Sequence, residues 1–233
     1  MGKKDELDKL VDKRRRKDVL PGYKRLGDYS NADFECNFVS PYSKGAHNLN
    51  ADVMILLQDW SSDQALRRSV GASELGRDPN LPTNRNLCSL MKSSLAMELS
   101  ETYATNLFPF IKAGGLSSRI PFADFVVAAK EFAIPQIRIV APRLVVCLGK
   151  TTFNTLRVVA AQLGLALGLS RCRDMSTAID SPFDIEFSGR TVSIWAQAHP
   201  GAWGQRNRNM DDPGQTLMDW KKMSLVTGLS PQR

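Results

Sequence analysis

The stretch "PRLVVCLGKTTFNTL", Pro142 to Leu156, decides the fold. The apolar run LVVCL (144–148) stops at Gly149, and a helix-length segment follows in which Thr151 or Thr152 is suited to cap the first turn. A continuous apolar run of this length is typical of a strand that is covered on both faces, as in a parallel sheet. The stretch therefore predicts a buried strand, a glycine turn and a helix.

The same pattern recurs along the chain. Three further β-like runs read "ADVMILLQD" (51–59), "ETYATNLFPF" (101–110) and "TVSIWAQAHP" (191–200). Helices are predicted near 84–99, 122–140 and 151–167. Strands separated by helix-length segments imply right-handed crossover connections. We therefore predict an α/β protein, a three-layer α/β/α sandwich around a central, mostly parallel four-stranded sheet.

Composition restricts the protein class. The 233 residues are 42% hydrophobic and 24% charged, as in ordinary globular proteins. The N-terminus lacks the apolar core of a signal peptide, and no apolar run is long enough to span a membrane. Four scattered cysteines and two histidines argue against a zinc or iron–sulfur site and fit a reducing cytoplasm. We expect a cytoplasmic protein without a metal or an organic cofactor.

Charge points to a polyanionic partner. The net charge is +7, and nucleic acid is the first candidate. Residues 1–22 form a basic N-terminal arm, flexible or helical, with a basic run at Lys13–Lys17. A solvated tail and a DNA-binding arm both remain open for it. Residues 23–233 are predicted to form one domain.

Polar residues lie at the carboxyl end of each predicted strand. They are Gln58-Asp59-Trp60, Asn106, Gly149-Lys150-Thr151 and His199-Pro200-Gly201. Sites in open α/β sheets lie beyond the carboxyl ends of the strands, so we expect these groups to share a cleft. Each alone is more often a cap, a turn residue or a structural histidine, and their order on successive strands is the informative feature. The Gly-rich part of a Walker motif and a GxSxG elbow are both missing, which argues against an ATPase and a serine hydrolase.

That order resembles the uracil-DNA glycosylase superfamily over roughly residues 35–225. "ILLQDWSSD" (55–63) is similar to the first motif, and "YATNLFPF" (103–110) to the strand that carries the base-reading asparagine. "AHPGAWGQRN" (198–207) is similar to the second motif, and "IRIVAPRLVVCLGKTTFNTL" (137–156) to a helix–Pro–strand–Leu-Gly–helix segment of these enzymes.

The resemblance implies roles for individual residues. Asp59 stabilises the sugar cation and orients a water, while His199 donates to O2 of the departing base. Asn106 reads the uracil edge, and Gln58, Trp60 and Phe108 also bind substrate. The base-stacking ring is expected from Trp60, Phe108 or Phe110. The expected DNA contacts are Lys150, Thr151, Pro200, Gly201, Ala202, Trp203 and Arg206, with Trp203 at the position of the apolar wedge.

The implied activity is hydrolysis of the N-glycosidic bond of uracil, or a related deaminated base, flipped out of single- or double-stranded DNA by a monomer. The chain departs from the family pattern at Trp60-Ser61 and Gly201-Ala202, and residues 61–100 contain no aromatic side chain. The altered Trp60-Ser61 and Gly201-Ala202 motivate an alternative, a catalytically inactive protein of the same fold that binds DNA or a partner protein. An enzyme acting on free nucleosides is a third interpretation.

Overall fold

A central β-sheet organises the protein in a computed structural model that describes residues 2–16, 20–30, 33–69, 74–187 and 189–230. In these described residues the sheet has five strands in the order β2-β1-β3-β5-β4. The strands are β1 Val53–Asp59, β2 Tyr103–Phe108, β3 Leu144–Leu148, β4 Phe183–Phe187 and β5 Arg190–Gln197.

Four of these strands run parallel. β1 pairs with β2 and β3, and β3 pairs with β5, so their carboxyl ends meet at one edge. The register places Leu57 beside Asn106 and Leu148 beside Gln197. The prediction of an α/β protein with a mostly parallel sheet is confirmed, and the shared edge is where the polar residues were expected.

The predicted strand number was wrong, because β4 adds a fifth strand antiparallel to β5. Its side chains alternate between buried and exposed, with Phe183, Ile185 and Phe187 turned inward. An antiparallel edge strand needs only one apolar face, so it shows alternation rather than a continuous apolar run. The prediction relied on continuous runs and therefore passed over β4. β5 also ends earlier than predicted, which leaves His199 in the loop beyond Gln197.

Helices cover both faces of the sheet. They are α1 Lys3–Arg15, α2 Asp63–Arg68, α3 Pro82–Leu95, α4 Phe122–Ala128, α5 Ile134–Val140, α6 Lys150–Gln162, α7 Met175–Ile179, α8 Ala202–Arg208 and α9 Gln215–Val226. A π-helical turn, Ala129–Ala133, joins α4 to α5, and short 3₁₀ turns occupy Leu26–Asp28, Pro41–Gly45 and Leu99–Glu101.

The two faces of the sheet carry separate cores. Alternate residues of β1 point to opposite sides, so Met54 joins a cluster with Phe153 of α6, while Ile55 joins one with Met91 of α3 and Trp220 of α9. Helices lying on both faces give three layers. No helix in the described parts of the chain is long and apolar enough to cross a membrane.

The N-terminal segment is a packed helix over most of its length. Leu7 and Val11 of α1 are buried in the core. Arg14 is fully buried, forms an ion pair with Glu35 and donates to the carbonyl of Cys36 at 2.9 Å. The charge of Arg14, which the sequence left open for DNA binding, is therefore engaged inside the protein. The last residue of the basic run, Lys17, lies outside the described residues.

Candidate active site

A cavity of about 590 Å³, hereafter the cleft, opens at the carboxyl edge of the parallel strands. The predicted residues that line it come from the end of β1, the middle of β2 and the loop after β5. They are Gln58, Asp59, Trp60, Asn106 and His199. The structure therefore brings together an acid, an amide and an imidazole that are far apart in the chain.

Asp59 is the last residue of β1, and both of its carboxylate oxygens have protein partners. Gln58 donates to Oδ1 at 2.9 Å, and Lys112 Nζ lies 2.7 Å from Oδ2. Only 11% of the Asp59 side chain and 6% of the Lys112 side chain are exposed. The energy of a largely buried ion pair depends strongly on its geometry, because the attraction between the two charges must offset the cost of removing each from water. The pair fixes the position of the carboxylate at the cleft wall.

Lys112 is a cleft residue that the sequence reasoning missed. It lies four residues beyond the end of β2, where Asp63 donates its backbone N–H to the Lys112 carbonyl at 2.9 Å. Its Nζ also donates to the carbonyl of Leu116 at 2.7 Å. The available signal was a lysine directly after "NLFPFI", at the same edge of the sheet as the predicted acid.

Asn106 is fully buried in β2, and its amide is held in one orientation. Its Oδ1 accepts from the Ser40 hydroxyl at 2.5 Å, and that hydroxyl accepts from the backbone N–H of Tyr42 at 3.2 Å. The Asn106 Nδ2 group has no hydrogen-bond partner among the described residues. A buried donor without a partner is costly, so a cleft-lining N–H₂ group of this kind is suited to an incoming acceptor.

His199 lies in the loop beyond β5, and a backbone contact fixes its tautomer. The N–H of Gly201 donates to Nδ1 at 3.0 Å, which leaves the proton of the neutral ring on Nε2. Desolvation lowers the pKa of His199 from its ordinary value, and the nearby charge of Asp59 only partly opposes this. At neutral pH the ring is therefore an uncharged Nε2–H donor.

Glycine is required where the chain turns behind His199. A Cβ atom on Gly204 would lie 2.1 Å from the carbonyl oxygen of His199, which is far closer than any real contact. The first turn of α8 therefore packs directly on the backbone of the histidine. The Gly-rich sequence after His199 is explained by this close approach.

The aromatic rings of the cleft differ from those predicted. Trp60 lines the cleft as expected, and its indole N–H donates to the carbonyl of Gly76 at 2.8 Å. Phe34 and Tyr42, which the sequence reasoning missed, line it as well.

The prediction that Phe108 binds substrate is wrong, because the residue does not line the cleft. Its ring is fully buried in the hydrophobic core, in edge contacts with Tyr23 at 4.8 Å and Phe125 at 5.8 Å. Phe110, the other stacking candidate near it, is also buried in that core. These partners come from distant segments, so the local sequence gave no sign that the rings point away from the cleft.

The predicted DNA contacts separate into an exposed and a buried group. α8 buries none of its residues; Trp203 is 74% exposed, and the Arg206 guanidinium lies 5.8 Å from the centre of its ring. Ala202 is also exposed. Pro200 and Gly201 are buried, and the Pro200 carbonyl accepts from Asn86 at 2.8 Å. They therefore shape the His199 loop.

The other two predicted contacts lie at the start of α6. Lys150 is exposed, and its Nζ donates to the carbonyl of Arg173 at 2.8 Å. Thr151 is half-buried, and its carbonyl accepts from the Thr155 hydroxyl at 2.8 Å. Neither lines the cleft.

No protein-family model matches the chain, and no curated protein matches it either. Among the described residues, no group of three or more histidine, cysteine or carboxylate side chains is placed to hold a metal ion.

Proposed function

We propose that this protein is a DNA glycosylase that removes uracil, or a related deaminated base, from DNA, on a uracil-DNA glycosylase-like fold. The observation that carries the proposal is the meeting of Asp59, Asn106 and His199 in one cleft. Asn106 presents an unpartnered N–H₂ group there, and His199 is the neutral Nε2–H donor.

The donors match the charge that develops in the reaction. When the N-glycosidic bond breaks, negative charge collects on the base and positive charge on the sugar. His199 donates to the O2 atom of the departing base, and one preorganised donor of this type typically contributes roughly 3–4 kcal/mol. Asp59 faces C1′, where its carboxylate stabilises the oxocarbenium-like sugar and orients the attacking water.

Asn106 supplies the base selectivity. Its Nδ2 donates to O4 of uracil, and its Oδ1 accepts from N3–H with the lone pair that Ser40 leaves free. Cytosine has an N4 donor and an N3 acceptor at the same edge, so it would leave buried groups unpaired. Ser61 stands where the family has the tyrosine that blocks the methyl group of thymine, and the bulky Trp60 beside it, anchored on Gly76, takes over that blocking.

The surroundings of the cleft suit a flipped nucleotide. Its volume of about 590 Å³ lies in the range of small-molecule sites, roughly 300–1,000 Å³. The exposed Trp203 is suited to fill the gap that a flipped base leaves in the stack, and Arg206 beside it is suited to contact phosphate. We propose that the protein acts as a monomer in the cytoplasm, where its four free thiols stay reduced.

One observation favours a second candidate, a protein of this fold that binds DNA without cleaving the glycosidic bond. Both oxygens of Asp59 already have partners, Gln58 and Lys112. A carboxylate neutralised by a lysine stabilises a sugar cation less well than a free one. The two candidates predict the same DNA binding and differ in base release.

Base release from labelled oligonucleotides tests the proposal. Single- and double-stranded substrates carry uracil, hypoxanthine, xanthine or mismatched thymine. We expect uracil release by the wild type and a loss of at least about 100-fold in Asp59→Asn, with DNA affinity retained. The matched control is Asp78→Asn, since Asp78 also lines the cleft but its Oδ1 accepts from the backbone of Asn80 at 2.8 Å. DNA binding without release of any base would instead support the inactive candidate.

A further inference from the structure

The cleft contains a primary amine that the proposed hydrolysis does not use. We propose that Lys112 gives the protein a second activity, cleavage of the DNA strand at the abasic site through a covalent imine with C1′ of the sugar. This inference rests on the proposed function, because it takes the abasic product of base excision as its substrate.

The position of the amine carries the inference. Lys112 Nζ lies 2.7 Å from Oδ2 of Asp59, the group that faces C1′ in the proposed reaction. An amine hydrogen-bonded to that carboxylate is therefore next to the same carbon atom. Reacting atoms in a productive complex lie roughly 3–3.5 Å apart, a separation that this placement allows.

The surroundings of Lys112 suit a nucleophile rather than a solvated surface charge. Its backbone is held by bridges to two other segments, since Ser62 pairs with Lys112 and Lys24 pairs with Ile111. The side chain is 6% exposed and points to the wall of the cleft instead of the solvent. A lysine amine that is desolvated in a pocket is a known route to imine formation with a carbonyl substrate.

Asp59 provides the proton route. Nitrogen attacks only as the free amine, and the Oδ2 atom at 2.7 Å is in place to take a proton from the ammonium group. The carbonyl of Leu116, 2.7 Å from Nζ, holds the amine on its other side. Asp59 therefore acts first in base release and then as the proton carrier for Lys112.

The chemistry balances without an oxidant or a reductant. In the ring-opened abasic sugar, C1′ is an aldehyde; the Nζ–C1′ bond forms, and the aldehyde oxygen leaves as water with two of the ammonium protons, which Asp59 relays. The product is a protonated imine. Water then takes a proton from C2′, the electrons of that C–H bond form a C2′–C3′ double bond, and the 3′ phosphate leaves with the electrons of the C3′–O bond. Water hydrolyses the imine and returns Lys112 as its ammonium form beside Asp59.

Borohydride trapping on DNA with a preformed abasic site tests the inference independently of base excision. We expect a covalent protein–DNA complex, with the reduced sugar located on the Lys112 peptide by mass spectrometry, and a nicked strand in the absence of borohydride. Lys112→Arg keeps a positive charge for Asp59 but lacks the primary amine, and its trapped complex should fall to the level of protein-free DNA. The matched control is Lys92→Arg, a lysine of α3 with a 75% exposed side chain, which should trap like the wild type.

The outcomes separate the two activities. Uracil release without trapping on abasic DNA overturns the lyase inference and leaves the proposed function standing. Trapping on abasic DNA without uracil release supports the lyase and overturns base excision. Sugar attached to the N-terminal amine or to another lysine overturns the inference. Because the peptide is mapped in the wild type, the result holds even where Lys112→Arg fails to fold.

Discussion

Gly201 donates its backbone N–H to Nδ1 of His199 across 3.0 Å. The contact links the turn after β5 to the protonation state of the histidine. In an imidazolium, Nδ1 carries a proton of its own and cannot accept from the Gly201 N–H. Gly204 fixes the same loop from the other side, since any larger residue would collide with the His199 carbonyl. The strand, the turn and α8 together present Nε2–H to the cleft.

We therefore expect His199 to titrate below its ordinary pKa of 6.5 and to carry its neutral-state proton on Nε2. Because the pKa of His199 is lower in the folded protein than in the unfolded chain, protonation favours unfolding. The contribution of neutral His199 to the free energy of unfolding is therefore fully present above about pH 6.5 and is lost as pH falls from there through the folded pKa. Nitrogen-15 NMR of histidine-labelled protein measures both properties. The chain has two histidines, and His47→Gln leaves His199 as the single signal. Titration above 6.5, or a proton on Nδ1 at neutral pH, would contradict this assignment.

Ser40 should control the selectivity of Asn106. Ser40→Ala removes the hydroxyl that holds Oδ1, so the amide is free to turn and offer the pattern that fits cytosine. We expect the uracil-to-cytosine ratio of kcat/KM to fall by up to about tenfold, the value of one hydrogen bond. Asn106→Asp should lower the same uracil-to-cytosine ratio of kcat/KM further.

Ser43→Ala is the matched control for that measurement. Ser43 is buried in the same 3₁₀ turn that follows Ser40, but its hydroxyl donates to the carbonyl of Ala104 at 2.7 Å. It should leave the selectivity unchanged. If both serine variants lower activity on uracil equally and alter no ratio, Ser40 stabilises the turn without orienting the amide.

The sequence predicted the cleft residues that lie in or directly after the parallel strands better than those supplied by other segments. Hydrophobic periodicity locates the strands that carry Asp59 and Asn106, and the parallel register brings these adjacent strands side by side. Ser40 and Lys112 come from irregular segments whose path depends on tertiary contacts, so no periodic signal marks them. Phe108 shows the reverse error, since an aromatic residue near a site was assigned to it while Tyr23 and Phe125 hold the ring in the core.

Trp203 should affect excision from double-stranded DNA far more than from single strands. A duplex must unstack to release the base, and a wedge compensates a cost of a few kcal/mol that a single strand does not incur. We expect Trp203→Ala to lower kcat/KM on duplex uracil substrates by at least about tenfold and to leave single-strand excision nearly unchanged. Met210→Ala, which removes an exposed apolar side chain beyond α8, is the control. Equal losses on both substrates would assign Trp203 to general DNA binding.

Glu35 should matter for stability because it compensates Arg14. The Arg14 side chain is 0% exposed, and in Glu35→Ala the Cys36 carbonyl would be its one remaining hydrogen-bond partner among the described residues. Removing one partner of a buried pair costs roughly 3–5 kcal/mol. Because Glu35 is 29% exposed, we expect Glu35→Ala to lower the free energy of unfolding by about 3 kcal/mol. Urea unfolding measures this value.

The exposed pair Asp12–Arg15 on the same helix is the control, and Asp12→Ala should change the free energy of unfolding by less than about 1 kcal/mol. The double variant Arg14→Met, Glu35→Ala should recover part of the loss, because it leaves no uncompensated buried charge. Equal, small effects of Glu35→Ala and Asp12→Ala would mean that α1 does not dock in solution. In that case the basic N-terminal residues would be free to contact DNA.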